Sequence, residues 1–235
     1  MGATFVDVRT EGDFETGHIP GAVSLQTEKI GDAPTYLLPV LDAHLVVYGD
    51  GSADAAEKLS TAGYKKISIL EDFTGLATVA GITEPKTGYT NSFSSFLVNG
   101  TPADEDIFSD YDLTMINIWA TYCSPCLNEM PDLGKLAAEY APKGVQIVGL
   151  VTDIEMSDTG IYSAEDVALA RELIELTGAT YHHLLPSYTL YTALLSGISA
   201  VPTTVFVNSE GELVGQVYVG SKSGSEWAAI IEGLL

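Results

Sequence analysis

Cys123-Ser124-Pro125-Cys126 holds both cysteines of the 235-residue chain. The pair directly follows an apolar, strand-like run, Leu113–Trp119, and a helix-like segment begins at Ser124. Two cysteines at this spacing, at the start of a helix after a strand, are what thiol–disulfide exchange requires. A zinc knuckle would need two more soft ligands at metal spacing. His182 and His183 are adjacent and far along the chain, and His18 and His44 are farther still, so no metal is expected. An inert staple is a poor explanation too, because a loop this short removes little entropy from the unfolded chain. Dithiol chemistry needs no cofactor, and none is expected.

Composition narrows the rest. Apolar residues make up 46% of the chain, ample for packed cores and unlike a disordered or fibrous protein. The formal charge of −22 is spread along the whole length, with no cluster of Lys or Arg. That pattern argues against nucleic acid or an anionic membrane as partner and fits a solubilising surface. No run of about 20 apolar residues is present to span a bilayer. The chain enters a strand almost at once, at Ala3-Thr-Phe-Val-Asp-Val8. An upstream segment, an export signal or lipid anchor, is therefore expected to precede it.

Elements that position the cysteine pair can be read from periodicity. Thr4–Val8, Leu45–Tyr48 and Lys66–Leu70 read as short strands. Between the last two, Ser52–Ala62 reads as a helix with Ser52 as N-cap and Gly63 as stop. Such alternation predicts a parallel sheet with helices on its faces. Gly81–Ser95 has linker composition, and the domain boundary is placed near residue 86, giving domains 1–85 and 86–235. The second domain opens with a hairpin turning at Asn99-Gly100. Strands are expected at Leu113–Trp119, Val145–Val151, Tyr181–Leu185, Thr203–Asn208 and Glu212–Val219. Helices are expected at Ser124–Tyr140, kinked at Pro131, and at Ala164–Thr177, Thr189–Ser196 and Glu226–Leu235.

The first domain resembles the rhodanese-like family over roughly residues 3–80. Asp7-Val-Arg9, Gly17-His-Ile-Pro-Gly-Ala22 and Gly63-Tyr64 carry the resemblance. An active member has a cysteine immediately after the strand matched here by Leu45–Tyr48, on a loop that turns into a helix. This chain has Gly49 there, followed by Asp50 and Gly51 in a shortened loop. Sulfurtransferase chemistry is excluded by these residues. Arg9 is expected to pair with a carboxylate and His18 to hydrogen-bond beneath its loop. A docking role or a spacer role is left for the domain.

The second domain is similar to the TlpA/ResA type of thioredoxin-like proteins over about residues 93–235. Ile116-Asn-Ile-Trp-Ala-Thr-Tyr-Cys-Ser-Pro-Cys-Leu-Asn-Glu-Met-Pro131 and Ala200-Val-Pro-Thr-Thr-Val-Phe-Val-Asn208 carry it. The resemblance implies an α/β architecture of two domains: a rhodanese-like parallel sheet, then a thioredoxin-like fold with an N-terminal hairpin and an inserted helix. It also implies a cis bond before Pro202, with its loop facing the cysteines, and a protein segment that pairs with Val201 as an added strand. Cys123, exposed at the helix terminus, is the expected nucleophile, and the covered Cys126 resolves the mixed disulfide. Trp119 and Tyr122 are expected to shape the rim where substrate binds.

Asn117 stands where thioredoxin has a buried aspartate that takes a proton from the resolving cysteine. Glu129, one turn beyond Cys126, is then the nearest acid–base candidate, unless it is only an early-helix carboxylate favoured by the dipole. His182 and His183 face opposite sides of a strand, and neither is given a function. A peroxidase reading fails, because Thr121 and the distant Arg171 do not supply its motif. The function expected is disulfide reduction in an extracytoplasmic partner protein, with electrons from a membrane or thioredoxin-type donor. The alternative is a redox-sensing or partner-docking module built on the inactive first domain.

Overall fold

The computed structural model describes residues 3–32, 35, 37–71, 93–157 and 160–235. Residues 81–92 of the expected linker, and the boundary near residue 86, lie outside the described residues. Two compact units are present. The first comprises Met1–Thr87 with Asn99–Pro102 and Glu155–Ala164, and the second comprises Gly88–Val98, Ala103–Ile154 and Glu165–Leu235.

In the first unit, β1 (Thr4–Asp7), β2 (Val23–Ser24), β3 (His44–Tyr48) and β4 (Lys66–Leu70) form a sheet in the order β2-β1-β3-β4. Every pairing is parallel, with Val6 opposite both Val23 and Val47, and Val47 opposite Ile69. Helix α1 (Glu11–Thr16) is capped by Thr10, whose hydroxyl accepts from the Asp13 N–H. Helix α2 (Ser52–Thr61) buries Ala55 and Leu59. Its N-cap is Gly51, in the left-handed region at φ 90°, with no side-chain cap. Ser52 is therefore the first helical residue and not the cap, because two glycines bring the chain into the helix one residue early.

Arg9 and His18 hold this unit together. The Arg9 guanidinium meets Asp7 at 2.6 Å and donates to the Gly17 carbonyl at 2.7 Å. His18 bonds the Phe14 carbonyl through Nδ1 at 2.9 Å and stacks on the Phe14 ring. Gly49, at φ 104°, lies so close to Arg9 that a Cβ there would collide with Arg9 Cγ. The shortened turn after β3 is filled by the arginine stem.

Strands β5 (Ser94–Phe96) and β6 (Pro102–Asp104) pair on either side of Asn99-Gly100, and the rest of the second unit comes after them. A five-stranded sheet follows, in the order β11-β10-β7-β8-β9. Its strands are β7 (Leu113–Trp119), β8 (Val145–Val151), β9 (His182–Leu184), β10 (Thr203–Val207) and β11 (Leu213–Val219). Strands β7, β8 and β9 are mutually parallel, while β10 runs antiparallel to β7 and to β11. All seven residues of β7 and all seven of β8 are buried, which explains their continuous apolar sequences. One core gathers Ile116, Ile118, Val148, Leu150 and Leu184. The other gathers Met115, Leu133, Ile147, Phe206 and Trp227.

The helices are α3 (Ser124–Tyr140), α4 (Ala164–Thr177), α5 (Tyr188–Ala193) and α6 (Gly224–Leu234). Helix α3 continues through Pro131 without a break. Helix α5 is shorter than the sequence suggests: the chain tightens into a 3-10 turn at Leu195–Gly197. A capping box between Ser223 and Glu226 starts α6.

Candidate active site

Strand β7 is central, so its carboxyl end opens beside two neighbours, and the cysteine loop leaves from there. Three contacts shape that loop. Thr152 donates its N–H to the Trp119 carbonyl at 2.9 Å. The Asp153 carboxylate accepts the Thr121 N–H on both oxygens at 3.0 Å and the Thr121 hydroxyl at 2.6 Å. The Cys123 N–H bonds back to the Ala120 carbonyl at 3.1 Å. Asp153 escaped the sequence reading. Its position just past the end of β8, beside the end of β7, was the available signal.

Cys123 is the N-cap of α3, and its Sγ accepts the Cys126 N–H at 3.2 Å. The two cysteines are joined in a disulfide with Cα atoms 5.3 Å apart. Cys126 is wholly buried and Cys123 is 5% exposed. Cys123 is thus far less open than expected, because its sulfur is covered by its partner and by the first turn; it is still the more accessible of the two. No acidic residue occupies the first turn of α3, so the positive end of the helix dipole acts on Cys123 unopposed. Pro125 contributes no N–H there and presets a helical φ.

The Val201–Pro202 peptide bond is cis. Thr203 pairs with Ile118, so Val201 and Pro202 run past the end of β7 that carries the cysteine loop. The Pro202 carbonyl accepts from Gly220 and the Ala200 carbonyl from the Thr203 hydroxyl. Among the described residues, neither the N–H nor the C=O of Val201 is bonded back to the chain.

Glu129 is 4% exposed and has three donors around it. Asn117 Nδ2 reaches Oε1 at 2.9 Å, while the Lys222 N–H and the Trp227 indole N–H reach Oε2 at 3.0 and 3.2 Å. Burial raises its pKa above the ordinary carboxylate range, and the three donors partly offset that. This is not an early-helix carboxylate in solvent. It is a buried acid three residues along α3 from Cys126, on nearly the same face. Asn117 also donates to Thr204 Oγ1 at 3.1 Å, and its Oδ1 is buried without a partner among the described residues. Lys222 and Trp227 lie too far along the chain for sequence spacing to have linked them to Glu129.

Tyr122 is 76% exposed beside the cysteines, as a rim residue would be. Trp119 is not at the rim. It is wholly buried and donates its indole N–H to His183 Nδ1 at 3.1 Å. The cause is its place as the last residue of a central strand, which turns the ring into the core. His183 in turn donates from Nε2 to the Ala179 carbonyl at 2.8 Å and stacks against Tyr181. Burial pushes its pKa down to about 4, so the imidazole is neutral. The adjacent His182 is exposed on β9.

Comparison with known proteins sets this geometry in context. The Rhodanese-like domain pattern matches residues 1–73, and the Redoxin pattern matches residues 98–230. The thiol-disulfide oxidoreductase ResA of Halalkalibacterium halodurans is 30% identical over 105 residues, covering 45% of this chain and 52% of the relative. The thioredoxin-like protein YneN of Bacillus subtilis is 28% identical over 114 residues, covering 48% and 59%. The chain spans about half the length of these curated relatives. Among solved structures, a thioredoxin-family thiol:disulfide interchange protein from Chlorobium tepidum superposes with a TM-score of 0.52 at 22% identity. That match covers 66% of this chain and 99% of the other, and shows a shared thioredoxin-like fold.

Proposed function

The chain belongs to the Redoxin family, and we propose that it is a thiol–disulfide oxidoreductase that reduces disulfides in a partner protein. The observation that carries this reading is the Cys123–Cys126 disulfide at the N-terminus of α3, beside the Val201–Pro202 segment. In the dithiol form, the Cys123 thiolate attacks one sulfur of the substrate disulfide. A Cys123–substrate bond forms, the substrate S–S bond breaks, and the second substrate sulfur leaves as a thiolate that takes up a proton. Cys126 then attacks Cys123 Sγ, releases the remaining substrate thiol and closes the intramolecular disulfide. Two electrons have passed to the substrate. Glu129 is the group placed to accept the proton Cys126 must lose, since Asn117 cannot ionise. Val201 offers its free backbone groups to an extended segment of the substrate, and Tyr122 lines the approach.

The pair must be reloaded by a dithiol donor, of membrane or thioredoxin type. The substrate is a disulfide-bearing protein outside the cytoplasm, and an anchor on a segment upstream would hold the protein near it. Among the described residues, no helix is long and apolar enough to cross a membrane. With glycine at position 49 the first unit has no nucleophile for sulfur transfer, which leaves it a docking or a spacer role. A competing reading makes the cysteine pair a redox sensor, favoured only by the absence of a nucleophile at Gly49. Insulin reduction driven by dithiothreitol separates the two. Multiple turnover that is lost in Cys123→Ser supports a reductase, and oxidation without turnover would leave the sensor.

A further inference from the structure

Where Tyr122 leaves the cysteine loop lies a cavity of about 270 Å³, several times the ~30 Å³ that a water molecule occupies. Tyr122 and Val201, the neighbours of Cys123 and Pro202, form one side. Tyr191 of α5 and Leu195 and Ile198 beyond it form the other. None of its lining residues carries a charge, although the chain as a whole carries −22. Tyr191 is 57% exposed, and with Tyr122 it puts two aromatic rings in solvent at one opening. Thr152, whose N–H and hydroxyl are both held by the Trp119 carbonyl, sits at the ends of β7 and β8 and contributes to the same lining.

We propose that this cavity is a specificity pocket that takes an aromatic side chain flanking the cysteine of the substrate protein. The inference rests on the reductase reading and names its substrate class. Three features argue for that occupant. The pocket is continuous with the redox site through Tyr122 and Val201, so a segment paired with Val201 and delivering its sulfur to Cys123 must pass its mouth. Exposed tyrosines are rigid, amphipathic contact surfaces, and rings prefer other rings in offset or edge-to-face packing. An uncharged hollow within a strongly acidic protein accepts a neutral side chain without desolvating an ion, whereas a carboxylate would be both desolvated and repelled. The segment from Tyr191 to Ile198, which begins on α5, is thereby a selectivity element.

The test uses the full-length protein and five-residue peptides with a central cysteine, each supplied as its mixed disulfide with glutathione. The residues within two positions of the cysteine are Ser throughout, or carry one Phe, or carry one Asp. At one flanking position, Phe should raise kcat/KM over Ser by about tenfold or more, the scale on which apolar pockets discriminate. Asp at the same position should lower it. Tyr191→Ser should bring the Phe-to-Ser ratio to within threefold, Tyr191→Phe should preserve it, and Ile198→Ser should reduce it. Tyr188→Ser is the control: this exposed residue shares α5 with Tyr191 but does not line the cavity, and the ratio should stand. Equal rates on all peptides would overturn the pocket while leaving the reductase intact, and so would a preference untouched by Tyr191→Ser. Failure to reduce any peptide or insulin would remove the reductase reading and the pocket with it.

Discussion

After β3 the chain turns through Gly49-Asp50-Gly51 into α2, and after β7 it turns through Ala120–Cys123 into α3. Both turns follow a parallel strand and aim the N-terminal N–H groups of a helix at the turn, a setting that favours an anion. The contents differ. At α3 the cap is a cysteine whose sulfur accepts a backbone N–H, and the first turn is free of acidic residues. At α2 the cap is a glycine without a side chain, Asp50 precedes it, and the Arg9 stem fills the space above Gly49. The guanidinium of Arg9 is itself engaged by Asp7. The scaffold that can stabilise a sulfur anion occurs twice here, but a sulfur occupies it only once. A helix terminus is permissive; the side chain at the cap decides the chemistry.

The largest effect should come from the turn that has the sulfur. Cys123→Ser should lower insulin reduction by at least about 10³-fold, on the scale of removing a nucleophile. In the reduced protein, iodoacetamide should alkylate Cys123 well before Cys126, with a thiolate pKa below the free value of about 8.5. Faster labelling of Cys126 would reverse the two roles.

Next in size is the acid sensitivity of the second unit. The folded His183 pKa lies below its ordinary value, so its neutral form contributes stability that is complete above about pH 6.5 and is lost as pH falls towards 4. The full window is worth up to about 3 kcal/mol. Denaturant titrations of His183→Gln between pH 7 and 4 should show a flatter loss than the parent chain. Parallel curves would mean that His183 is not the group that titrates.

The empty turn can be challenged directly. Gly49→Cys should not create thiosulfate:cyanide sulfurtransferase activity, because the new Cβ runs into Arg9 and the backbone is left-handed there. It should cost about 1–3 kcal/mol of stability, read by chemical denaturation. Thiocyanate production by that variant would show that the cysteine alone was missing.

The subtlest change expected is one of pH profile, at Glu129. Its raised pKa means that it contributes stability fully below about pH 4.3, which is lost as pH rises through the folded value. That slope is opposite to the one from His183, so the two must be tested in separate variants. Glu129→Gln should remove it and alter the pH profile of disulfide reduction. It should also cost about 1–3 kcal/mol, because an amide has one acceptor oxygen and turns an NH2 group towards either Asn117 or the Lys222 and Trp227 donors. An unchanged pH–rate profile would leave solvent as the proton acceptor for Cys126.

Much of this was legible in the chain itself, where short-range rules apply. The cysteine pair, the buried runs of β7 and β8, the start of α3 and the absence of a thiol at Gly49 each follow from residues within a turn or a strand of one another. Periodicity and helix-terminus chemistry act over that range. Other features were decided by tertiary structure alone. Trp119 reads as a rim aromatic until the central strand turns it onto His183. Glu129 reads as an acid–base candidate or an early-helix carboxylate until the fold brings Lys222 and Trp227 over it from more than 90 residues away. Asp153 and Tyr191 join the site only because the fold sets the end of β8 and helix α5 beside the cysteine loop. Sequence determines which groups are available and their local backbone. Burial and long-range hydrogen bonds, which set whether a group is charged, covered or open, depend on neighbours that only the packed fold supplies.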